Sequence, residues 1–178
     1  MVANHVSWLD IPVLGAQTPT TFVSKSEVRS WPLIGWLAVL LNTIFLERGA
    51  HQASACARQV GDRIKRGLSV VIFPEGTTTD GRGILPFYPR LFAAAQNPGI
   101  WIQPVALRYL DQDQPCPVAP FVGDDALIAH LLRILRQPRL VVEVHFLDAF
   151  PAEGLSRKDL AEGCRTAIAE RLGVEETP

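Results

Sequence analysis

The run Ser69-Val70-Val71-Ile72-Phe73 constrains this chain more than any other stretch. It is continuously apolar after its first residue, has the length of a strand, and lies between Gly67 and Pro74. Strands that alternate polar and apolar residues bury one face. A continuous Val/Ile/Phe run buries both, as in the middle of a parallel sheet covered by helices. Parallel neighbours need crossover connections, so the rest of the chain must supply helices between strands.

The flanking sequence does so. Thr20–Ser24, Thr43–Glu47, Ile100–Tyr109 and Leu140–Leu147 read as further strands. Glu27–Leu41 reads as a helix broken or started at Pro32. His51–Arg66 reads as a second helix, with Ala53, Cys56, Ala57, Val60 and Ile64 at helical spacing and Gly67 as its stop. Tyr88–Gln96 reads as a short helix, and Asp111–Gly123 as a polar, Pro-rich surface loop. Leu127, Ile128, Leu131, Leu132 and Leu135 form a helical apolar stripe. A last helix opens on the capping-box pair Ser156 and Asp159 and presents Leu160, Ala161, Cys164, Ile168 and Leu172 to a core. The expected fold is therefore α/β: a single domain over residues 1–178, with a largely parallel central sheet flanked by helices. Active sites of such sheets lie at the carboxyl ends of the strands.

Composition narrows the function. A net charge of −1 gives no overall electrostatic case for nucleic acid, so any anionic ligand needs a local cationic cluster. Cys56, Cys116 and Cys164 are far apart and form neither a zinc pattern nor a disulfide framework. The apolar stretch Trp31–Leu46 contains Pro32, Gly35, Asn42 and Thr43 and falls short of the ~20 residues of a membrane span. It reads first as a buried helix followed by a buried strand, and alternatively as a helix whose apolar face touches a bilayer surface.

Chemistry enters at His5 and Asp10. Five positions of regular helix turn the chain by ~500°, which would point the two side chains ~140° apart. Pro12 offers a solution, because proline is tolerated in the first turn of a helix. A helix starting with Asp10 near its N-cap and Pro12 at the second position leaves His5 in the preceding turn, free to fold back. Taken alone, Asp10 could be a plain cap and His5 a loop histidine. A carboxylate-held histidine is otherwise a general base. No G-x-S-x-G elbow accompanies it, since Ser69 lies inside the buried strand and Ser7 is too near His5 in sequence. The nucleophile is then a hydroxyl of the substrate.

The apolar strand runs straight into Pro74-Glu75-Gly76-Thr77-Thr78-Thr79-Asp80-Gly81. Asp80-Gly81 is an ordinary turn, but an acid at the end of a central strand is not explained by a turn. Threonine hydroxyls and loop N–H groups suit a phosphate or a substrate hydroxyl. Lys25 and Arg48 each follow a strand and are candidate phosphate cations.

These residues resemble a known family. Asn4-His5-Val6-Ser7-Trp8-Leu9-Asp10 looks like the H-x-x-x-x-D motif of glycerolipid acyltransferases. Asn42-Thr43-Ile44-Phe45-Leu46-Glu47-Arg48 resembles their second motif, Phe73-Pro74-Glu75-Gly76-Thr77 the third, and Ile102-Gln103-Pro104-Val105-Ala106 the fourth. All four occur in family order, and the nearest branch looks like the bacterial 1-acylglycerol-3-phosphate acyltransferases. The resemblance implies that His5 takes the acceptor's proton and Asp10 orients His5. The hydroxyl then attacks the thioester of acyl-CoA or acyl carrier protein, with no cofactor or metal and no acyl-enzyme. It further implies that Arg48, Glu75, Gly76 and Thr77, with Lys25 less firmly, hold the acceptor phosphate of lysophosphatidate. Two departures bear on this. Thr78 stands where the family often has Arg, so a phosphate contact is lost or supplied by Arg82 or Arg90, or the head group is not a phosphate, as in lyso-ornithine lipid. Asn42 stands where the family often has Gly, which affects only local turn geometry.

The family's N-terminal hydrophobic segment has no counterpart ahead of His5, so the chain is expected to be a fragment. Its expected place is the cytoplasmic face of a membrane. Three other readings remain at this stage. They are a lipid hydrolase using the same pair on water, a non-catalytic lipid-binding membrane-surface module, and a metal-dependent transferase built on Asp111-Gln112-Asp113.

Overall fold

The computed structural model describes residues 1–30, 34–40, 43–46 and 52–177, with the backbone alone at some positions within its helices and strands. Among the described residues, the main sheet is built on six strands: β1 (Val2–Ala3), β2 (Thr20–Lys25), β3 (Ile44–Leu46), β4 (Ser69–Val71), β5 (Pro104–Asp111) and β6 (Val141–Phe146), with the short Gln114–Pro115 strand also paired to Pro104–Asp111. Strand β2 pairs in parallel with β3 on one side and β4 on the other. A parallel bridge from Ile72 to Val2 carries the ladder on to β1. Strand β1 pairs in parallel with β5, and β6 closes the edge antiparallel to β5. The spatial order is β3-β2-β4-β1-β5-β6, so the sheet is largely parallel, as the apolar Ser69–Phe73 run requires.

Among the described residues, five α-helices accompany it: α1 (Asp10–Gln17), α2 (Ile34–Leu40), α3 (Gln52–Lys65), α4 (Leu127–Leu135) and α5 (Arg157–Leu172). Burial on both sheet faces is visible within single strands. Val105 and Leu107 pack with Leu14 and Phe22 on one face, whereas Ala106 between them packs with Leu160, Cys164 and Ile168 of α5 on the other. All five residues expected on the core face of the last helix are buried. Its capping box forms as read, with Ser156 Oγ accepting from the Asp159 N–H at 3.2 Å. Burial in this layer pushes the Cys164 thiol up to about 12.

Several expectations change. The Ile100–Tyr109 strand divides at Gln103, and its first part (Trp101–Ile102) pairs with Phe150–Pro151 instead of the main sheet. Tyr88–Gln96 becomes a 3-10 helix over Pro89–Gln96. Glu27–Leu41 becomes a 3-10 turn over Ser26–Ser30 followed by α2, while Pro32 lies outside the described residues. Helix α2 is buried at Gly35 and Ala38 but leaves Trp36, Val39 and Leu40 exposed, so a fully buried helix is not what forms. The Asp111–Gly123 segment is not wholly a surface loop, because Cys116 and Ala119 are buried against Val6 and Tyr109. Asp111-Gln112-Asp113 belongs to a hairpin turn, with Gln112 and Asp113 at positive φ.

Candidate active site

Strand β1 ends two residues before His5, at the carboxyl edge of the sheet. Asn4 fixes the exit. Its side chain is buried, accepts from the Leu107 N–H at 2.8 Å and donates to the Leu107 carbonyl at 2.9 Å. The chain then turns and enters α1 at Asp10. Leu9 is the N-cap, so Asp10 is the first helical residue and Pro12 the third, one position deeper than its spacing suggests. Proline is still harmless there, because first-turn N–H groups have no partner within the helix.

Asp10 does not cap its own helix. Its carboxylate turns back, and Oδ2 accepts from His5 Nδ1 at 2.7 Å, from the Val6 N–H at 2.8 Å and from the Ser7 N–H at 3.0 Å. Oδ1 accepts from the Tyr109 hydroxyl at 2.7 Å. Asp10 is fully buried, and four donors converge on its two oxygens. Burial, then the Asp10 charge, pushes the Tyr109 phenol far up, so it stays a donor. Tyr109 belongs to the site although sequence reading did not select it. It is 99 residues from Asp10 and carries no local motif.

With Nδ1 donating to Asp10, the lone pair of His5 sits on Nε2, which has no hydrogen-bond partner among the described residues. The imidazole stacks on Phe73 with ring centres 4.1 Å apart, and Phe73 in turn stacks over Phe22. The His5 side chain keeps 18% of its surface exposed while Asp10 keeps none, so the base can be reached and its orienting carboxylate cannot. Ser7 does not fit an activated nucleophile: its Oγ is buried and makes no hydrogen bond among the described residues.

Glu75 is buried at the end of the central strand. One carboxyl oxygen accepts from the His5 backbone N–H at 2.8 Å and the other from the Leu85 N–H at 3.0 Å. Burial pushes its carboxyl up to about 7, opposed by those two N–H groups. Both oxygens thus hold main chain, and Glu75 acts on His5 from behind. Gly76 turns at φ +71°, with Tyr88 ring carbons within 3.0–3.3 Å of where a Cβ would sit. Thr77 is exposed. Thr78 donates to the Phe121 carbonyl, and the Thr79 N–H donates to the His5 carbonyl at 2.8 Å. Position 78 therefore ties the Glu75 loop to the 120s segment. Arg90 lies over the Tyr88 ring at 5.0 Å. Arg82 is exposed, its backbone N–H bonded to Asp80. Lys25 is the last residue of β2, at the same sheet edge, and its side chain is not among what is described; Arg48 lies outside the described residues.

A buried carboxylate holding an accessible histidine, with no protein hydroxyl bonded to the ring among the described residues, is the arrangement expected of a general base that works on a substrate's own nucleophile. Residues 1–108 match the family model described as Acyltransferase, and the chain belongs to that family. It is similar to the lyso-ornithine lipid O-acyltransferase of Pseudomonas aeruginosa, 46% identical over 167 residues, covering 94% of this chain and 65% of the relative. It also resembles the 1-acyl-sn-glycerol-3-phosphate acyltransferase of Neisseria gonorrhoeae, 35% identical over 176 residues, covering 96% of this chain and 69% of the relative. Among solved structures, the 1-acyl-sn-glycerophosphate (LPA) acyltransferase of Thermotoga maritima shares the fold, with a TM-score of 0.64 at 23% identity. That match covers 97% of this chain and 64% of that one. This chain thus spans about 65% of the length of the Pseudomonas relative.

Proposed function

We propose that this chain transfers a fatty acyl group from a thioester, acyl-CoA or acyl carrier protein, to the free hydroxyl of a lysolipid. Lyso-ornithine lipid is placed ahead of lysophosphatidate as the acceptor. The observation that carries the reading is the 2.7 Å His5–Asp10 contact with Nε2 unpartnered among the described residues and no chain nucleophile bonded to the imidazole.

The acceptor hydroxyl gives its proton to His5 Nε2 as its oxygen attacks the thioester carbonyl. Asp10 holds the imidazole through Nδ1 and stabilises the imidazolium that forms. The tetrahedral intermediate expels the thiolate, and His5 returns the proton to the thiol sulfur. A thioester is already activated, so orientation and proton transfer carry the rate. No cofactor enters this scheme. The reaction places the chain at a membrane surface, where lysolipids reside, on the face that meets cytoplasmic thioester donors.

Two observations favour lyso-ornithine lipid. A relative named for that activity is 46% identical, against 35% for the one named for lysophosphatidate. Thr78 also stands where a phosphate-binding arginine is common in the family, and its hydroxyl is committed to the Phe121 carbonyl. An ornithine head group offers a carboxylate and an ammonium instead of a phosphate. The test is an acceptor panel read by thiol release: lyso-ornithine lipid, lysophosphatidate and glycerol-3-phosphate at matched concentration. Turnover with lyso-ornithine lipid above lysophosphatidate is expected. Equal or greater turnover with lysophosphatidate would overturn the acceptor assignment, and acceptor-independent thiol release would make the protein a hydrolase.

A further inference from the structure

Helix α4 carries the apolar stripe read in the sequence, and much of that row is on the outside. Ile128, Leu132 and Leu135 are 58%, 48% and 70% exposed, and Val122 just before the helix is 38% exposed. By helix geometry the three helical positions fall within ~60° of one another, and His130 lies ~200° from Ile128, on the opposite side. His130 is the residue the helix buries. It accepts from Trp8 Nε1 at 3.0 Å, and its other ring nitrogen bonds the Pro120 carbonyl at 3.1 Å. The inward side of α4 is thus attached to Trp8, inside the His5–Asp10 loop. The Phe121 N–H also donates to the Val6 carbonyl at 3.0 Å.

Charge completes the pattern. Leu127–Arg139 contains Arg133, Arg136 and Arg139 and no acid, in a chain whose net charge is −1. Arg133 is held by Asp125 through two hydrogen bonds of 3.1 and 2.8 Å. Arg136 and Arg139 are exposed and have no side-chain partner among the described residues. Arg136 sits ~80° round from Ile128, on the flank of the row. A short helix with leucines on one side and free arginines at its border suits the interface of a bilayer carrying anionic lipid.

We propose that the Ile128–Leu132–Leu135 face of α4, bordered by Arg136 and Arg139, docks on an anionic bilayer and presents the His5 loop to it. The proposal rests on the function above only for the acceptor being a membrane lipid. Vesicle binding is read without turnover, so failure of docking and failure of activity are scored separately.

The experiment is flotation of the protein with vesicles of phosphatidylcholine alone and of phosphatidylcholine with an equal part of phosphatidylglycerol. The protein is expected to partition onto the mixed vesicles. The Leu132→Glu/Leu135→Glu variant should lose on the order of ten-fold per leucine. The Arg136→Ala/Arg139→Ala variant should lose roughly five-fold per arginine on mixed vesicles and nothing on phosphatidylcholine alone. All four side chains are exposed, so thermal unfolding should match the parent. Either variant floating on mixed vesicles as the parent does overturns the proposal. So does a parent that ignores both vesicles, or a parent dimer that the leucine variant dissolves while vesicle binding is unchanged.

Discussion

Asp10 accepts from four donors on two buried oxygens. Tyr109→Phe removes one of them and leaves Oδ1 unpaired. Stability should fall by about 1.5–3 kcal/mol, the usual worth of a hydrogen bond to a charged group. Tyr109 bonds Asp10, so on the proposed mechanism kcat should drop about ten-fold with KM unchanged. A KM effect alone would show that the ring touches the acceptor instead. Glu75 carries a pH signature. Its carboxyl is raised from 4.5 to about 7 by burial, so between those values the folded protein binds more protons than the unfolded chain. Its contribution therefore falls as pH rises through that window and is fully lost above about 7, a change on the order of 3 kcal/mol. Denaturant titrations of parent and Glu75→Gln across that range should show the downward slope only in the parent. Gln places an N–H₂ against one of the two backbone donors, so it should also be less stable by about 1–3 kcal/mol at acid pH. His5, Asp10 and Glu75 were legible as chemistry because their types and spacing are unusual. That Glu75 grips the His5 backbone was not legible, since a backbone partner leaves no mark on composition.

At the level of elements, the turn after the central strand explains why Gly76 stands beside Glu75. Gly76→Ala meets both a left-handed φ of +71° and a Tyr88 ring carbon at 3.0 Å. We expect it to cost about 1–2 kcal/mol from the backbone alone. Combining it with Tyr88→Ala should recover only the steric part; full recovery in chemical denaturation would show that the backbone conformation is not strained. The helices show how far pattern carries. The α5 core face and capping box were readable because spacing and cap chemistry agree. The α4 stripe was readable as a stripe, but its direction was not. His130 takes the inward position because Trp8 and Pro120 satisfy both its nitrogens, and Trp8 is 122 residues away in sequence. Similarly, the buried Cys116 and Ala119 sit in a segment whose polar composition reads as solvated.

For the whole molecule, one continuous apolar run at Ser69–Phe73 was enough to imply a parallel sheet and a site at its carboxyl edge. Strand order was not implied, because it depends on pairings such as β1 with β5, which lie some hundred residues apart. The assembled sheet brings the His5 loop, the Glu75 turn and the end of β2 to one edge, while Tyr109 on β5 closes on Asp10 from the neighbouring strand. The His5 loop and the Glu75 turn thus meet at His5, with Tyr109 reaching it through Asp10, and no hydroxyl of the chain is bonded to the imidazole among the described residues. In the proposed function, the acyl group passes directly from donor to acceptor. Single-turnover reaction with radiolabelled acyl thioester resolves this, following label on protein and on lipid in the parent and in His5→Ala. The parent should move label to lipid only when the lysolipid is present, with none on protein, and His5→Ala should be slower by ~10²–10⁴-fold. Stoichiometric label on the protein before lipid appears, or an undiminished rate in His5→Ala, would contradict direct transfer by the His5–Asp10 pair.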